Sequence, residues 1–319
     1  MRTEILDILL CPRCKAGNLQ LRLEDFSVSD GRVETGVLFC DRCDALYDIR
    51  CGVPDLLIGA HSPSVQNAFS QQWKLRHEGI LGENGETLYF FSVSSRAKQI
   101  WSTLFPSGKF QGLILDAGCG NGDLTAELAN SYPQVQFVGM DFSETIYENA
   151  RKHGKKTNIQ WIRGDVSNPP FKQMVFDGVY SSGVLHHTSN PRQAFGALSE
   201  LIKSGARFFV WLYPLPHETR NPRYWSFYYR VRDWLFLGIG HHLPSKLLAA
   251  LLRVFLLPTL LRGRAYYNSL TFVLFDGVAP KYQYRHSKSE VENWYRQENF
   301  REDFRTLWDG AYVATKNGS

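Results

Sequence analysis

The chain has 319 residues, 44% of them hydrophobic and 21% charged, with a net charge of +5. Those proportions exclude disorder, a collagen repeat and a coiled coil as whole-chain descriptions, and the length is that of about two domains with a full-sized core. The charge is local: residues 1–60 hold seven basic and ten acidic side chains, whereas 214–285 hold ten basic and three acidic. The first ten residues, MRTEILDILL, are charged and lack a cleavage site, so no signal peptide and a cytoplasmic location are expected. Five of the six cysteines precede position 52. In a chain without an export signal, paired cysteines read as metal ligands before disulfides. Cys11-Pro-Arg-Cys14 and Cys40-Asp-Arg-Cys43 are two CxxC pairs separated by 25 residues. Two such knuckles offer four thiolates to one tetrahedral Zn²⁺, a closed and therefore structural shell. Cys51 reads as a core residue.

This Cys-rich segment is predicted as a β-type zinc ribbon over 1–60. From Ile5 to Leu57 it resembles a small zinc-ribbon family. The features that carry the likeness are Ile8-Leu9-Leu10-Cys11-Pro12-Arg13-Cys14, the Cys40–Cys43 knuckle, Tyr47, and the turn Gly52-Val53-Pro54-Asp55-Leu56-Leu57. Stand-alone members of that family bind and activate methyltransferases, which this resemblance implies as a role for the ribbon.

Gly59 to Pro63 punctuate a boundary. Residues 61–111 are predicted as a helical extension. Gln72 and Trp73 on it are either a cofactor lid or ordinary helix packing. From 112 to 319 apolar strands and helices alternate, the pattern of a parallel sheet in an α/β fold. The alternation stops after Tyr213 and resumes near Ser287. Two strand-like runs, REDFRTLW and AYVATK, then form a potential antiparallel hairpin.

The segment Leu113-Ile114-Leu115-Asp116-Ala117-Gly118-Cys119-Gly120-Asn121-Gly122 is the most informative. A strand enters an Asp, then a turn with Gly at every second position, then a helix. Glycines let a ligand approach the backbone, and the helix N-terminus offers N–H groups to a carboxylate. Asp141 ends the next strand, 19 residues after Gly122, where an acid takes two ribose hydroxyls. Asp165 ends the third strand, where it accepts from an adenine amino group. The set fits a nucleoside with a short carboxylated tail, and no pyrophosphate site is apparent.

LDAGCGNG, GMDFS, GDVSNPPF and FDGVYSSGVLHHT, in that order, resemble a class I S-adenosylmethionine-dependent methyltransferase. The likeness covers 113–213 well and 274–319 more loosely. It implies a Rossmann-like seven-stranded sheet with helices on both faces. It also implies S-adenosyl-L-methionine as cofactor, held by Asp116, Gly118, Cys119, Gly120, Asp141, Phe142, Asp165, Val166 and Ser182, with Trp73 as lid. Lys203-Ser204-Gly205-Ala206 departs from the family's Pro-Gly-Gly turn, which should alter a loop. Asn168-Pro169-Pro170-Phe171 mimics the box of amino-methylating enzymes, but it precedes the fourth strand and so reads as a proline turn.

His186 and His187 follow the fourth strand at the sheet edge and are the candidate bases; a structural role is the competing reading. Tyr213, His217, Arg223, Tyr224 and Tyr282 are candidate substrate-binding residues. The insert 214–285, rich in Tyr, Trp and Arg, is expected to cover the active site as a helical lid. Leu247 to Leu261 is too short to span a membrane yet suits a peripheral contact. Asp276, Pro280, Tyr282, Tyr284 and His286 bear a loose likeness to enzymes of natural-product or cell-surface sugar pathways. The reading is methyl transfer to O or N of a small-molecule or carrier-linked metabolite. The rivals are an RNA methyltransferase, against which the acidic ribbon argues, and a non-catalytic cofactor-binding regulator.

Overall fold

The computed structural model describes residues 1–22, 26–29, 31–59, 75, 93–106, 110–154, 156–233 and 243–318. A 3-10 turn (Thr3–Asp7) leads into five short strands: β1 (Leu19–Leu21), β2 (Ser27–Ser29), β3 (Arg32–Cys40), β4 (Leu46–Arg50) and β5 (Val53–Pro54). All pair antiparallel, with β3 central, as two knuckles joined by a small sheet require.

Helix α1 (Val93–Leu104) precedes the alternating region. There follow β6 (Leu113–Ala117), α2 (Asp123–Ser131), β7 (Gln136–Asp141), α3 (Thr145–His153), β8 (Ile159–Arg163), β9 (Phe176–Ser182), α4 (Pro191–Ser199) and β10 (Ile202–Trp211). The insert carries α5 (Pro222–Arg232), α6 (Ser245–Phe255), a 3-10 turn (Leu257–Arg262) and α7 (Arg264–Val278). The chain closes with α8 (Lys288–Gln297), β11 (Arg305–Trp308) and β12 (Ala311–Thr315).

These last seven strands form one sheet in the order β11-β12-β10-β9-β6-β7-β8. Neighbours from β8 to β10 run parallel; β12 runs antiparallel to both β10 and β11, so the C-terminal hairpin forms as expected. The strand order reverses between β6 and β9, which opens a crevice outside the carboxyl ends of β6 and β9. Local chemistry agrees with the element ends. Asn190 caps α4, accepting from the Gln193 N–H at 3.1 Å, with Pro191 at the first helical position. Ser287 caps α8 by accepting from the Glu290 N–H, a capping-box spacing. The Lys203–Ala206 departure is a bulge: β10 pairs with β9 at Ile202, loses register, and resumes at Arg207, with Gly205 at φ 78°. It lies at the entry end of the strand, opposite the crevice.

The ribbon does not stand apart. Ile5, Leu9, Leu38 and Ile49 share one buried apolar cluster with Val138, Met140, Ile162 and Phe171 of the larger sheet. The Asn168-Pro169-Pro170-Phe171 turn is its landing. The Leu10 N–H donates to the Pro170 carbonyl, Lys15 Nζ to the Pro169 carbonyl, and Asn168 Nδ2 to the Pro12 carbonyl, while Leu9 bridges Phe171. At the other end Asp55 bridges Arg163 on the free edge of β8. A groove of 710 Å³ runs along this seam, lined by Tyr47, Arg50, Asp55 and Arg163 among others.

The insert has its own buried cluster: Leu248, Ala249 and Leu252 of α6 pack with Phe275 and Val278 of α7 and with Leu75. Leu75 belongs to the predicted helical extension, so the extension and the insert meet. Helix α1 lies in its second half; residues 61–74 and 76–92, including Gln72 and Trp73, lie outside the described residues.

Candidate active site and metal centre

Cys11, Cys14, Cys40 and Cys43 converge as expected, all four sulfurs within 4.8 Å of one another. Cys11 and Cys43 lie 3.7 Å apart, and so do Cys14 and Cys40. A tetrahedron of sulfurs about 2.3 Å from zinc has edges of about 3.8 Å, so these residues fit the ion. The two knuckles are built alike. Lys15 and Asp44, each next after its second cysteine, both take φ 55°, and both return their N–H to the first cysteine's carbonyl. Gly17 is obligatory, since a Cβ there would sit 2.2 Å from the Cys40 sulfur. The Tyr47 hydroxyl lies 3.1 Å from the Cys11 sulfur, a second hydrogen-bonding partner beside the site. Cys51 is half-buried in a turn outside this set.

The glycine turn after β6 has the backbone its sequence implies. Gly118, Gly120 and Gly122 have φ of 86°, 53° and 70°. A Cβ on Gly118 would come within 2.4 Å of Val184, so this loop passes against the β9 loop with no room for a side chain. Asn149 of α3 holds the turn by donating to the Gly120 carbonyl at 2.8 Å.

Two buried carboxylates flank the turn. Asp141 accepts from the Gly120 N–H at 2.8 Å and from the Ser143 N–H at 2.9 Å, one on each oxygen. A carboxylate has about four lone-pair sites, so acceptor capacity remains on both oxygens for a diol. Asp116 accepts from the Thr125 hydroxyl at 2.5 Å and the Tyr180 hydroxyl at 2.8 Å, both on one oxygen. Burial pushes its pKa up to about 7, against the pull of those two donors. A carboxylate held in that state favours a cationic ligand, such as an ammonium group. Burial likewise raises Asp141. Asp165 is half-buried and accepts from the Ser167 N–H at 2.8 Å, with buried Val166 beside it. Phe142 is half-buried, and its carbonyl accepts from Arg163 Nε at 3.2 Å. Cys119 is buried with its sulfur toward Asn149, so it reaches a ligand through its backbone rather than its thiol. The Ser182 hydroxyl is taken by Arg96 of α1 at 2.7 Å, and that guanidinium lies over Trp211. Arg96 was not marked by any sequence motif.

His186 and His187 sit in a 3-10 turn after β9, both buried, with ring centroids 4.2 Å apart. Their neighbours make them chemically different. The Tyr213 N–H donates to His186 Nδ1 at 3.3 Å, so the His186 proton lies on Nε2. His187 Nδ1 faces the Tyr282 carbonyl at 2.8 Å; a carbonyl only accepts, so His187 carries its proton on Nδ1 and its basic lone pair on Nε2. Burial pulls the pKa of both below the usual histidine range, His186 further, and His187 is partly restored by Asp276. Both are neutral at pH 7.

The expected substrate residues divide. Tyr213 stacks on His186 with centroids 3.8 Å apart and donates its hydroxyl to Asp276 at 2.6 Å. Tyr282 holds His187 through its carbonyl. Arg223, Tyr224 and His217 are instead solvent-exposed. On α5 the inward-facing positions are Tyr228, Tyr229 and Arg232, one turn further on. Arg232 is 3% exposed and donates to Gln283 at 2.7 Å and to Asp233 at 2.6 Å. Continuous aromatic and basic residues along α5 gave no period from which to tell the two faces apart.

Residues 114–205 match a family whose description is methyltransferase domain. A malonyl-acyl-carrier protein O-methyltransferase of Legionella pneumophila is 34% identical over 128 residues, which is 38% of this chain and 45% of that protein. An uncharacterized methyltransferase of Mycobacterium tuberculosis is 28% identical over 133 residues, 42% of this chain and 64% of that one. The chain thus spans from under half to just under two-thirds of these relatives' length. Among solved structures, magnesium protoporphyrin IX methyltransferase from Synechocystis aligns with a TM-score of 0.49 at 15% identity, covering 79% of this chain and 98% of that one.

Proposed function

We propose, for a chain that carries a class I S-adenosylmethionine-dependent methyltransferase domain, that it methylates an O or N atom of a small-molecule or carrier-linked metabolite. The observation that carries this is the pair of buried carboxylates, Asp116 and Asp141, on either side of a glycine turn at the carboxyl ends of β6 and β7. In this reading Asp141 takes the ribose hydroxyls, Asp165 and Val166 border the adenine, and Asp116 with Gly118 receives the methionyl ammonium. When bound, the cofactor supplies a methyl carbon activated by a sulfonium. The chain's part is to align the acceptor, exclude water and take the acceptor's proton.

His187 is the base in this scheme and His186 is not. In this scheme His187 Nε2 would take the acceptor's proton during methyl transfer, its lone pair being kept available by the Nδ1 proton that faces the Tyr282 carbonyl. His187→Ala is expected to lower kcat by roughly 10²–10⁴-fold. Activity in the native enzyme should fall as pH drops through a pKa below 6.5, because protonation removes the lone pair. His186→Gln should keep that acid limb. Steady-state rates across pH for both variants decide; an unchanged limb in His187→Ala removes it as the base.

A carrier-linked acceptor is favoured by the Legionella relative, whose name specifies one. RNA is disfavoured by the ribbon's acidic balance and by what three of its seven basic residues do. Arg2, Lys15 and Arg32 donate to the carbonyls of Thr157, Pro169 and Gly154 and so are engaged with the protein itself. The test is methyl-labelled S-adenosylmethionine with the purified protein and a fractionated extract. Label in a solvent-extractable or carrier-bound product that survives nuclease supports the reading; nuclease-sensitive label overturns it.

A further inference from the structure

We propose that the insert carries a second working surface: α6 and the 3-10 turn after it dock on an anionic lipid bilayer. Helix α6 is apolar on two faces. Leu248, Ala249 and Leu252 face inward to α7. Leu247, Leu251, Val254 and Phe255 face solvent, and at 3.6 residues per turn they fall within an arc of about 100°. Val254 and Phe255 are 66% and 65% exposed, and the turn continues the surface with Leu257 and with Leu261, 94% exposed. Isolated exposed apolar residues need no explanation, but a contiguous run of this kind marks an interaction site.

Charge identifies the occupant. Residues 234–275 contain no Asp or Glu and four basic residues, Lys246, Arg253, Arg262 and Arg264. The acids that bound this stretch are engaged elsewhere, Asp233 with Arg232 and Arg285 and Asp276 with Tyr213. Lys246 stands exposed on one flank of the exposed face; Arg253, seven residues on along the same flank, is half-buried with its guanidinium over the Tyr267 ring. The face itself offers no side-chain donor or acceptor, so it suits hydrocarbon better than a protein surface with polar groups to satisfy. An apolar face with a basic flank and no acid is the pattern of a helix lying in the plane of a membrane. No helix among the described residues is long and apolar enough to cross one. Helix α6 packs on α7, which supplies Asp276 to the crevice, so docking would bring the crevice to the bilayer surface. This surface is independent of the methyl-transfer reading, since its test needs no cofactor.

The test is sedimentation of the full chain with vesicles of phosphatidylcholine alone, or of phosphatidylcholine mixed with phosphatidylglycerol. The native protein is expected to pellet with the anionic vesicles, and less so as salt rises. Leu251→Asp/Val254→Asp should reduce the bound fraction at least tenfold. Lys246→Glu should lower it about fivefold or more on anionic vesicles and leave neutral vesicles unaffected. All three positions are exposed, and an unchanged melting temperature verifies each fold. No pelleting with either vesicle, or pelleting that ignores both variants, overturns the proposal. So does a lipid-free dimer abolished by the aspartates, since a second copy would then be the occupant.

Discussion

Cys40→Ser is expected to destabilise the whole protein and not the ribbon alone. Structural zinc in small domains contributes roughly 10–16 kcal/mol of apparent binding free energy. That is comparable to the entire folding stability of a typical domain, about 5–15 kcal/mol. Cys40 is fully buried, and its apolar neighbours Leu38 and Leu9 belong to the same cluster as Met140 and Ile162 of the larger sheet. Loss of the ribbon therefore uncovers one side of that sheet. It also frees Arg163. This side chain is 9% exposed, and its charge is met by Asp55 at 2.7 Å. The same Asp55 oxygen accepts from the Tyr147 hydroxyl at 2.9 Å. An unpaired buried guanidinium costs about 3–5 kcal/mol.

The consequence reaches the cofactor loop, because Arg163 Nε donates to the carbonyl of Phe142, the residue after Asp141. Stripping the metal with a strong chelator, or Cys40→Ser, should thus lower the melting temperature by at least ~10 °C and weaken cofactor affinity together. Asp55→Ala should weaken affinity with the zinc content intact. Metal analysis, thermal unfolding and calorimetric titration on the three proteins read this directly. A zinc-free protein that melts at the native temperature would sink the argument.

What could be read from residues alone follows how local the physics is. The CxxC knuckles, the strand–glycine–helix turn and the acids at the ends of β7 and β8 are short motifs whose chemistry is set by spacing; the structure brings the four sulfurs together and forms the glycine turn between β6 and α2. The strands were legible because apolar runs of strand length alternate with capped helices. The docking of the ribbon was not. Asn168-Pro169-Pro170-Phe171 reads as a turn, and nothing in it names a partner more than 150 positions away; the pairing goes with an apolar face of the ribbon that is covered only by packing on the larger sheet. The two histidines are a sharper case. Adjacent and identical in type, they differ because one meets a peptide N–H at Tyr213 and the other a carbonyl at Tyr282, both brought in by distant segments. Arg223 and Tyr224, expected at the substrate, lie on the exposed face of α5 for a similar reason. Aromatic and basic residues fill α5 without a clear period, so only packing distinguishes its inner face at Tyr229 and Arg232 from its outer one.

Asp141→Ala separates cofactor binding from folding. Each hydrogen bond from a ribose hydroxyl to an ionised carboxylate contributes about 1.5–3 kcal/mol. Losing two removes about 3–6 kcal/mol, a fall in affinity of roughly 10²–10⁴-fold. The effect on stability has the opposite tendency. Burial raises the Asp141 pKa, so the folded protein is strained by holding this group ionised at neutral pH. The sign follows from linkage: a carboxyl whose folded pKa is raised loses stability as pH climbs from its unfolded value through its folded one. Alanine removes that cost and forfeits the hydrogen bonds to Gly120 and Ser143, while Asn149 continues to hold the Gly120 carbonyl. The variant should therefore melt within a few degrees of the native protein and yet bind S-adenosylmethionine at least a hundredfold more weakly. Its stability should also fall less than that of the native chain as pH climbs above the ordinary carboxylate range. Unchanged affinity would show that the ribose lies elsewhere. A collapse in melting temperature would show that the carboxylate's main work is to hold the glycine turn, and the assignment of Asp141 would pass from ligand binding to loop structure.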